Sequence, residues 1–208
     1  VADNMMEVRP TVVIAVPRLY EKIHTKILDK VSKDPPKKQK IFRWAISVGK
    51  KASEYLTRGE NPSGLLGIKF KIADKLVFSK LKARVGGRLR CFISGGAPLN
   101  AQVGQFFASA NIPILEGYGL TETSPVITTN REELYKFGTV GKPIEGIEVK
   151  IAEDGEILCR GDNVMMGYYN NPEATNEVLD NDGWFKTGDI GNFDDEDGYL
   201  QITDRKKS

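Results

Sequence analysis

The sequence contains little cysteine and histidine, which excludes several kinds of functional site. Its 208 residues include two cysteines, Cys91 and Cys159, and a single histidine, His24. The cysteines are far apart and not in a metal-type spacing, so the sequence predicts neither a disulfide framework nor a zinc site, and it fits a reducing compartment. His24 lies among residues with helical periodicity. We interpret it as structural, because the sequence offers no partners for a catalytic triad.

A large charge excess and a long apolar run are also missing. Thirty Lys and Arg residues against 28 Asp and Glu residues leave a net charge of +2. A dedicated nucleic-acid-binding protein should show a basic stripe, so nucleic acid is not a predicted partner. No apolar run approaches the roughly 20 residues that a membrane-spanning helix requires. With 40% hydrophobic and 28% charged residues, the composition is typical of a globular protein.

The lysines are concentrated in one part of the chain, which leaves two interpretations open. Residues 22–51 contain Lys22, Lys26, Lys30, Lys33, Lys37, Lys38, Lys40, Lys50 and Lys51. They can form a solvated helix face, or a surface that contacts anionic lipid. We therefore predict a cytoplasmic protein, with peripheral contact to a membrane surface as the second interpretation. The sequence does not determine an oligomeric state.

The pattern of the first 132 residues alternates between strands and helices. Short β-branched or apolar runs at residues 11–16, 88–93 and 112–115 predict strands. Pro17 is predicted to open a helix. Three apolar stripes predict helices: Leu19, Ile23, Ile27 and Val31; then Ile41, Trp44, Ala45, Val48, Ala52 and Tyr55; then Ile68, Ile72, Leu76 and Leu81. Asn100 can cap a further helix. This alternation predicts an α/β fold with a mostly parallel, helix-covered sheet.

The pattern changes in residues 133–203. Four short predicted strands, at residues 145–151, 156–160, 184–186 and 199–203, are separated by Asp-Gly turn signals at Asp154-Gly155, Asp182-Gly183 and Asp197-Gly198. One short helix is predicted at residues 172–179. We therefore expect a small antiparallel β subdomain, a distorted barrel, to follow the α/β part.

Two glycine-rich segments follow predicted strands and are candidates for a ligand site. The first, Ser94-Gly95-Gly96-Ala97-Pro98, is called the glycine turn below. The second, Gly117-Tyr118-Gly119-Leu120-Thr121-Glu122-Thr123, is called the tyrosine segment. Ligands of open parallel sheets lie beyond the carboxyl ends of strands, where glycines allow close approach. Each segment alone is a common kind of turn, but together and in this order they predict a nucleotide site.

The side chains of the tyrosine segment suit the parts of a nucleotide. The ring of Tyr118 can lie on a flat base, a contact worth about 1–3 kcal/mol when bases stack on aromatic rings. Thr121 offers a hydroxyl to a phosphate. Glu122 offers hard oxygens to Mg²⁺, which prefers one or two carboxylates together with phosphate oxygens. Glu116, directly before the segment, is included in the predicted nucleotide site.

These segments resemble motifs of the adenylate-forming superfamily, which includes acyl-CoA synthetases, luciferases and peptide-synthetase adenylation domains. The tyrosine segment is similar to the family's Y-G-x-T-E loop. The resemblance implies that Tyr118 stacks on adenine, Thr121 meets the α-phosphate and Glu122 holds Mg²⁺. The glycine turn together with Leu99 is similar to the S-G-G-A-P-L segment that lines the adenine pocket in that family.

Two further motifs extend the resemblance toward the end of the sequence. Gly183-Trp184-Phe185-Lys186-Thr187-Gly188-Asp189 resembles the family's G-W-x-x-T-G-D segment, which implies that Asp189 binds both ribose hydroxyls. A carboxylate can accept such a pair of hydrogen bonds. Asp204-Arg205-Lys206-Lys207 resembles the D-R-x-K hinge between a large and a small domain, so residues 204–208 are predicted to be a hinge. Arg205 is then expected to contact ribose or phosphate.

The resemblance implies a two-step reaction with ATP, Mg²⁺ and coenzyme A. A carboxylate attacks the α-phosphorus of ATP, and the resulting acyl-adenylate passes its acyl group to coenzyme A. We expect Thr121, Glu122 and Arg205 to stabilise the charge that develops on the phosphate. The motifs Val8-Arg9-Pro10-Thr11 and Val16-Pro17-Arg18-Leu19-Tyr20-Glu21 resemble the long-chain branch, which implies a fatty acid substrate. The sequence does not fix the preferred acyl chain length.

Alternatives to this interpretation remain. The sequence could belong to an aryl-acid or small-acid ligase, to an adenylation domain that feeds a carrier protein, or to a nucleotide-binding module without catalysis. The sequence contains neither the Ser/Thr/Gly-rich phosphate loop ending in Pro-Lys-Gly nor the small C-terminal domain with a lysine that the family carries. We therefore expect the 208 residues to be part of a longer enzyme, and to be inactive alone.

Overall fold

The computed structural model describes residues 2–194 and 196–206, which form two compact units. The first unit contains the chain up to Leu115 together with Arg131–Phe137, and the second contains Glu116–Asn130 and the chain from Gly138 onward. The predicted division into domains at residues 1–132, 133–203 and 204–208 stays a prediction. The compact units divide elsewhere, since Glu116–Asn130 groups with the later strands. Lys207 and Ser208, the end of the predicted hinge, lie outside the described residues.

The first unit consists of helices around two short strands. Its elements are α1 (Ala2–Val8), β1 (Val12–Ala15), α2 (Pro17–Ser32), α3 (Pro36–Leu56), α4 (Gly64–Ala73), a π-helical turn (Asp74–Phe78), α5 (Ser79–Arg84), β2 (Cys91–Ser94) and α6 (Ala101–Ser109). Strand β3 (Ile114–Gly119) begins in this unit and ends in the second. Strands β1 and β2 pair in parallel, with Val12 opposite Cys91 and Ala15 opposite Ser94. The predicted parallel pairing is therefore confirmed.

Helix α2 forms as the sequence predicts. Pro17 occupies its first turn, where the missing N–H group costs nothing. Leu19, Ile23, Ile27 and Val31 all pack against the first unit's core. Tyr20 is fully buried, and its hydroxyl donates a hydrogen bond of 2.6 Å to the Ile93 carbonyl of β2. Burial raises the pKa of the Tyr20 phenol well above its usual range. This hydrogen bond anchors α2 to the sheet.

The predicted apolar face of α3 is partly wrong. Ala45, Val48 and Ala52 are buried as expected, but Ile41, Trp44 and Tyr55 are exposed. The buried face also includes Phe42, Gly49 and Ser53. A Cβ at Gly49 would overlap the carbonyl of Ser109 on α6. Close approach of the two helix backbones at Gly49 therefore requires a small residue there, which an apolar repeat does not predict.

The stripe predicted for the third helix lies mostly on its solvent side. Ile68, Ile72 and Leu76 are exposed, while Ala73, Val77 and Phe78 are buried. The residues Asp74–Phe78 form a π-helical turn. A π-turn adds a residue per turn and shifts the phase of the helix. The prediction was already wrong before this turn, since Leu66 and Phe70 of α4 pack against the core in place of Ile68 and Ile72. After the turn, Leu81 packs against the core as predicted.

The second unit is built from antiparallel strands. Its elements are the later part of β3, a 3₁₀ turn (Thr121–Thr123), β4 (Val126–Thr129), β5 (Lys142–Pro143), β6 (Glu148–Ile151), β7 (Glu156–Arg160), α7 (Pro172–Val178), β8 (Phe185–Phe193) and β9 (Leu200–Arg205). Strand β4 pairs antiparallel with β3 and with β5, and β6 to β9 form an antiparallel sheet in sequence order. The predicted fold class, an α/β part followed by a small antiparallel β subdomain, is confirmed.

The second unit has longer strands than predicted, and it has more of them. Strand β8 continues seven residues beyond the predicted end at Lys186 and reaches Phe193. Strand β9 extends to Arg205, so Asp204 and Arg205 lie within a strand. Strands β4 and β5 were not predicted. Around them, six buried side chains form the unit's core: Tyr118, Ile127, Ile157, Cys159, Phe185 and Leu200. Within the part of the chain that the structure describes, no helix combines the length and apolarity needed to span a membrane.

Candidate functional site

The tyrosine segment is a strand end followed by a tight turn rather than an open loop. Its first three residues finish β3, and Thr121–Thr123 form the 3₁₀ turn. The buried hydroxyl of Thr123 accepts the Leu120 N–H at 3.0 Å and donates to the Pro125 carbonyl at 2.6 Å. Ser124 then reverses the chain with φ of +59°. These contacts fix the turn, which leaves Thr121 exposed and Glu122 half-buried.

The two glycines of the tyrosine segment meet different surroundings. A Cβ at Gly119 would overlap the carbonyl of Pro125, the residue before β4. A Cβ at Gly117 would lie 3.4 Å from the Thr128 carbonyl oxygen, an ordinary contact distance. Gly119 is therefore required by the close approach of two backbones. The space on the Cβ side of Gly119 is occupied by protein.

Tyr118 connects the tyrosine segment directly to Asp189. Its hydroxyl donates a hydrogen bond of 2.7 Å to Asp189 Oδ2, across 71 positions of sequence. The ring is 9% exposed and belongs to the core of the second unit. Burial raises the pKa of the Tyr118 phenol well above its usual range, and the hydrogen bond to Asp189 raises it further. The phenol therefore keeps its proton and acts as a donor to the carboxylate. Stacking of Tyr118 on adenine stays a prediction.

Asp189 and Arg205 are cross-strand neighbours. They lie opposite each other in the β8–β9 pairing, and Arg205 Nε is 3.8 Å from Asp189 Oδ1. The Asp189 side chain is 15% exposed and that of Arg205 is 80% exposed. Because an exposed ion pair contributes little to stability, Arg205 is free to turn toward a ligand. The two residues predicted to meet ribose and phosphate are thus brought together by strand pairing.

Glu122 is held on one side by a tyrosine that the sequence did not single out. The hydroxyl of Tyr168 donates to Glu122 Oε1 at 3.0 Å, and the N–H of Met165 donates to the Glu122 carbonyl at 2.8 Å. Burial of Tyr168 and its bond to Glu122 both raise the pKa of its phenol. The segment around Met165 and Tyr168 therefore positions the carboxylate that is predicted to hold Mg²⁺.

The residues around Glu122 fit a magnesium ion bound together with a phosphate. Among the described residues, no group of three or more His, Cys, Asp and Glu side chains is arranged to hold a metal ion. Glu122 would thus supply a single carboxylate. Mg²⁺ commonly binds one or two carboxylates and takes its remaining ligands from phosphate oxygens and water. The donor set suits a metal that arrives with a nucleotide.

The glycine turn belongs to the first unit. Ser94 ends β2 and is 1% exposed, and its hydroxyl has no hydrogen-bond partner among the described residues. Gly96 has a φ of +79°, and no atom lies within 4 Å of the position that a Cβ would occupy there. Gly96, Ala97 and Pro98 are exposed, and Gly95 is half-buried. After the turn, Asn100 caps α6 by accepting the Gln102 N–H at 2.8 Å, as predicted.

Glu116 opens the second unit's part of β3. Its side chain is half-buried, and its carbonyl accepts the Asn130 N–H at 2.9 Å. The second unit therefore contains Glu116, Tyr118, Thr121 and Glu122 on or after β3, together with Asp189 and Arg205 on β8 and β9. Of these, direct contacts join Tyr118 to Asp189 and Asp189 to Arg205.

Two cations lie close to the ring of Trp184, in the G-W-x-x-T-G-D motif. Lys150 Nζ is 3.9 Å and Arg160 Cζ is 4.7 Å from the centroid of its indole ring. Arg160 is in turn bound to both carboxylate oxygens of Glu148. Such cation–π contacts each contribute about 0.5–1 kcal/mol at exposed sites. Trp184 is therefore a structural support of β8, ahead of Asp189.

The comparisons with known proteins assign the family. The chain belongs to the AMP-binding enzymes, whose family model matches residues 1–169.

Relatives with similar sequences are named as fatty acid ligases. The chain is 46% identical to the long-chain-fatty-acid–CoA ligase FadD15 of Mycobacterium bovis over 199 residues, which is 96% of this chain and 32% of that protein. It is 40% identical to long-chain-fatty-acid–CoA ligase 2 of Schizosaccharomyces pombe over 99% of this chain and 30% of that protein. The chain thus spans about a third of the length of these curated relatives.

Solved structures of related enzymes share the fold. Apo MatB from Rhodopseudomonas palustris matches with a TM-score of 0.64 and 27% identity, covering 100% of this chain and 33% of that one. O-succinylbenzoate coenzyme A synthetase (MenE) from Bacillus subtilis, in complex with ATP and magnesium ion, matches with a TM-score of 0.52 and 36% identity. That match covers 57% of this chain and 27% of the other.

Proposed function

We propose that this chain forms part of the nucleotide site of an ATP-dependent long-chain fatty acyl-CoA synthetase. The observation that carries the proposal is the hydrogen bond from Tyr118 to Asp189. It connects the strand that leads into Thr121 and Glu122 with the carboxylate predicted to bind ribose. A purely structural pair would not require the exposed Thr121 and Arg205 or the half-buried Glu122 beside it.

The proposed reaction has two steps. In the first, a carboxylate oxygen of the fatty acid attacks the α-phosphorus of ATP, and the bond to pyrophosphate breaks to leave acyl-AMP. In the second, the thiol of coenzyme A attacks the acyl carbon, AMP leaves and the thiol proton is released to solvent. A fatty acid is already ionised at neutral pH, so the first step requires no general base.

Each residue of the site has a role in binding or charge stabilisation. Asp189 accepts hydrogen bonds from the ribose hydroxyls while Tyr118 holds one of its oxygens. Thr121 donates its hydroxyl to the α-phosphate, and Arg205 offers positive charge to ribose or phosphate. Charge develops on the phosphate oxygens during the attack, and preorganised donors stabilise it. When bound, Mg²⁺ would supply further positive charge to these oxygens, with Glu122 as the ligand from this chain.

The glycine turn has a separate place in this proposal. Ser94, Gly95, Gly96, Ala97 and Pro98 are proposed to line the adenine pocket. The buried Ser94 hydroxyl, which has no hydrogen-bond partner among the described residues, is a polar group that a ligand could satisfy.

Binding of AMP to the 208-residue chain tests the nucleotide site. We expect AMP to bind the wild-type chain, and Asp189→Ala to weaken this binding about tenfold or more, since a hydrogen bond to a charged group contributes about 1.5–3 kcal/mol. Asp162→Ala, at an exposed carboxylate of the same unit, is the matched control and should leave the affinity unchanged. Equal affinity of the wild type and Asp189→Ala in an NMR titration would show that the site is misassigned.

Turnover by this chain alone is not expected. A pyrophosphate-release assay with palmitate, ATP and Mg²⁺ should give no more product for the wild-type chain than for Glu122→Ala. Release clearly above that control would mean that the 208 residues form a complete catalytic site.

The identity of the acid is proposed from the relatives. The proteins that match at 40% and 46% identity are named long-chain ligases, whereas the succinylbenzoate enzyme matches at 36% over 57% of the chain. A long acyl chain is therefore favoured over an aryl or small acid. A panel of acids, tested on the longest natural protein that contains this sequence, should show higher kcat/KM for palmitate than for benzoate or malonate.

The proposed subcellular location of the protein is the cytoplasm, with peripheral contact to a membrane surface. The lysines of residues 22–51 are all exposed, which agrees with a solvated face and with contact to anionic headgroups.

A further inference from the structure

A buried carboxylate lies beside the proposed ribose site and has no role in the reaction described above. Glu156, the first residue of β7, is 5% exposed. A buried charge is costly unless it is paired and hydrogen-bonded. Both oxygens of Glu156 are in fact engaged: Oε1 accepts the Gly188 N–H at 3.0 Å, and Oε2 accepts Lys206 Nζ at 2.8 Å. Each donor belongs to a residue next to one of the proposed ligand-binding residues.

The two donors bracket the cross-strand pair of Asp189 and Arg205. Gly188 directly precedes Asp189, and Lys206 directly follows Arg205. The two donors are also joined to each other, since the Lys206 N–H donates to the Gly188 carbonyl at 2.8 Å. Glu156 therefore closes a small ring of hydrogen bonds around the backbone that carries the proposed ribose and phosphate contacts.

On its β7 side, this part of β8 is not held by regular strand pairing. In the β7–β8 ladder Glu156 pairs with Ile190 and Leu158 pairs with Lys186, and the register shifts between them. Thr187, Gly188 and Asp189 therefore bulge opposite the single residue between Glu156 and Leu158. A bulge leaves residues outside the regular ladder. Here side chains replace the missing backbone bonds: Glu156 binds the Gly188 N–H, and the Thr187 hydroxyl donates to the Ile157 carbonyl at 2.8 Å.

We propose that Glu156 and Lys206 are positioning residues for the ribose site: they set the place of the Asp189 carboxylate. This inference rests on the proposed function, in which Asp189 binds the ribose hydroxyls. Neither Glu156 nor Lys206 needs to touch the nucleotide. Their effect acts through the bulge at Gly188 and through the end of β9.

The ion pair explains why a charged residue occupies the start of β7. Lys206 Nζ is shared with Asp154, at 2.6 Å from Oδ2, and the two carboxylates together raise the pKa of the Lys206 ammonium. Asp154 is exposed and does not contact Gly188, whereas Glu156 is buried and does. The chain thus offers a matched control: Asp154→Asn removes one charge from Lys206, while the Asn oxygen can still accept the Glu156 N–H, which lies 3.2 Å from Asp154 Oδ1.

The test compares AMP with 2′,3′-dideoxy-AMP, which lacks both ribose hydroxyls. Each nucleotide is titrated into the ¹⁵N-labelled 208-residue chain, and both affinities are read from amide shifts. The wild type should prefer AMP. In Glu156→Gln and Lys206→Met we expect this preference to fall about tenfold, the size of a lost hydrogen bond to a charged group. Affinity for the dideoxy nucleotide should stay unchanged. Lys206→Arg, which keeps the charge, should retain most of the preference, as should Asp154→Asn.

Three outcomes separate this inference from the function on which it rests. If folded Glu156→Gln and Lys206→Met keep the wild-type preference for AMP, the positioning role is wrong while the ribose site stands. If the wild type binds both nucleotides equally, Asp189 does not read the ribose hydroxyls, and the inference is overturned although nucleotide binding remains. If the wild type binds neither, the proposed function of this chain is overturned together with the inference. Should Glu156→Gln fail to fold, Lys206→Met decides the question, because its side chain is 45% exposed.

Discussion

The glycine turn and the tyrosine segment look alike in sequence, but the structure holds them in different ways. Gly96 in the glycine turn has a positive φ and open space around it. Gly119 in the tyrosine segment is pressed against the carbonyl of Pro125. Gly96 is favoured by its left-handed backbone conformation, whereas Gly119 is favoured because a side chain would clash with the neighbouring backbone. A glycine-rich turn after a strand can thus be an exposed turn or a tightly packed junction, and the difference determines how each responds to substitution.

The strongest test of this comparison is substitution at Gly119. Gly119→Ala places a Cβ where the Pro125 carbonyl lies, so β3 and β4 must separate. Overpacking of this kind commonly costs about 1–3 kcal/mol of folding free energy. The upper end is expected here, because the group that must move is the Pro125 backbone carbonyl, which moves less easily than a side chain. We expect the free energy of unfolding to fall by about 3 kcal/mol in urea denaturation.

Gly117 is the matched control for that change. A Cβ at Gly117 meets only ordinary contacts, the nearest at 3.4 Å, so Gly117→Ala should alter stability by less than about 1 kcal/mol. Similar losses in the two variants would contradict the distinction drawn between the two glycines.

The second prediction concerns the bond that anchors the tyrosine segment. Tyr118→Phe removes the donor to Asp189 and should lower the free energy of unfolding by about 1 kcal/mol. A double-mutant cycle with Asp189→Ala should give a coupling energy of about 1 kcal/mol, within the range for residues in contact. Tyr169→Phe, at a side chain that is 93% exposed, should change nothing. A coupling energy of zero would mean that the two side chains do not stabilise each other.

The third prediction applies to the glycine turn. Gly96→Ala introduces no clash but forces a residue with a Cβ into a left-handed conformation, which costs roughly 1 kcal/mol. Thermal unfolding followed by circular dichroism should show a correspondingly modest fall in Tm. A loss of stability as large as that of Gly119→Ala would show that the glycine turn is also tightly packed.

The smallest effect is a pH response that belongs to the second unit. The pKa of Lys206 is raised and that of Asp154 is lowered by their mutual bond. The stabilisation due to Lys206 is complete below its ordinary pKa of 10.5 and is lost as pH rises through the raised value. The stabilisation due to Asp154 is complete above 3.8 and is lost as pH falls through the lowered value.

Lys206→Met should therefore flatten both limbs of the stability profile. Chemical denaturation between pH 3 and pH 12, compared with the wild type, measures this directly. The variant should differ from the wild type by a constant amount through the neutral range, and the difference should narrow as pH rises above 10.5 and as it falls below 3.8. A difference that persists unchanged into strong acid and strong alkali would show that the ammonium is not the group responsible.

Local patterns predicted the parts of the fold that depend on local physics. Pro17 and a four-residue apolar repeat correctly predicted the start and the buried face of α2. Asn100 correctly predicted the start of α6. The buried face of α3 could not be found in the same way, because close packing against α6 selects Gly49 over larger apolar residues. The π-helical turn at Asp74–Phe78 likewise has no simple sequence signal and changes the phase of the pattern.

The candidate site was predicted as separate motifs rather than as an arrangement. The motifs identified four of its residues one by one: Tyr118, Glu122, Asp189 and Arg205. The hydrogen bond between Tyr118 and Asp189 joins residues 71 positions apart in sequence, so it depends on the tertiary fold. Tyr168 was missed because an exposed tyrosine in a loop carries no special signal. Glu156 offered one signal, a carboxylate at a strand position directly after a turn. Its burial follows from the bulge in β8, which a single sequence does not reveal.

The distribution of tryptophan gives each compact unit its own optical reporter. The chain contains two tryptophans: Trp44 lies on α3 of the first unit, and Trp184 lies in the second unit close to Lys150 and Arg160. Replacing either one by phenylalanine leaves a single emitter, so the fluorescence of each variant follows the melting of one unit within the intact chain. The order in which the units unfold, and whether a nucleotide protects only the second, can then be read from the emission of one indole at a time.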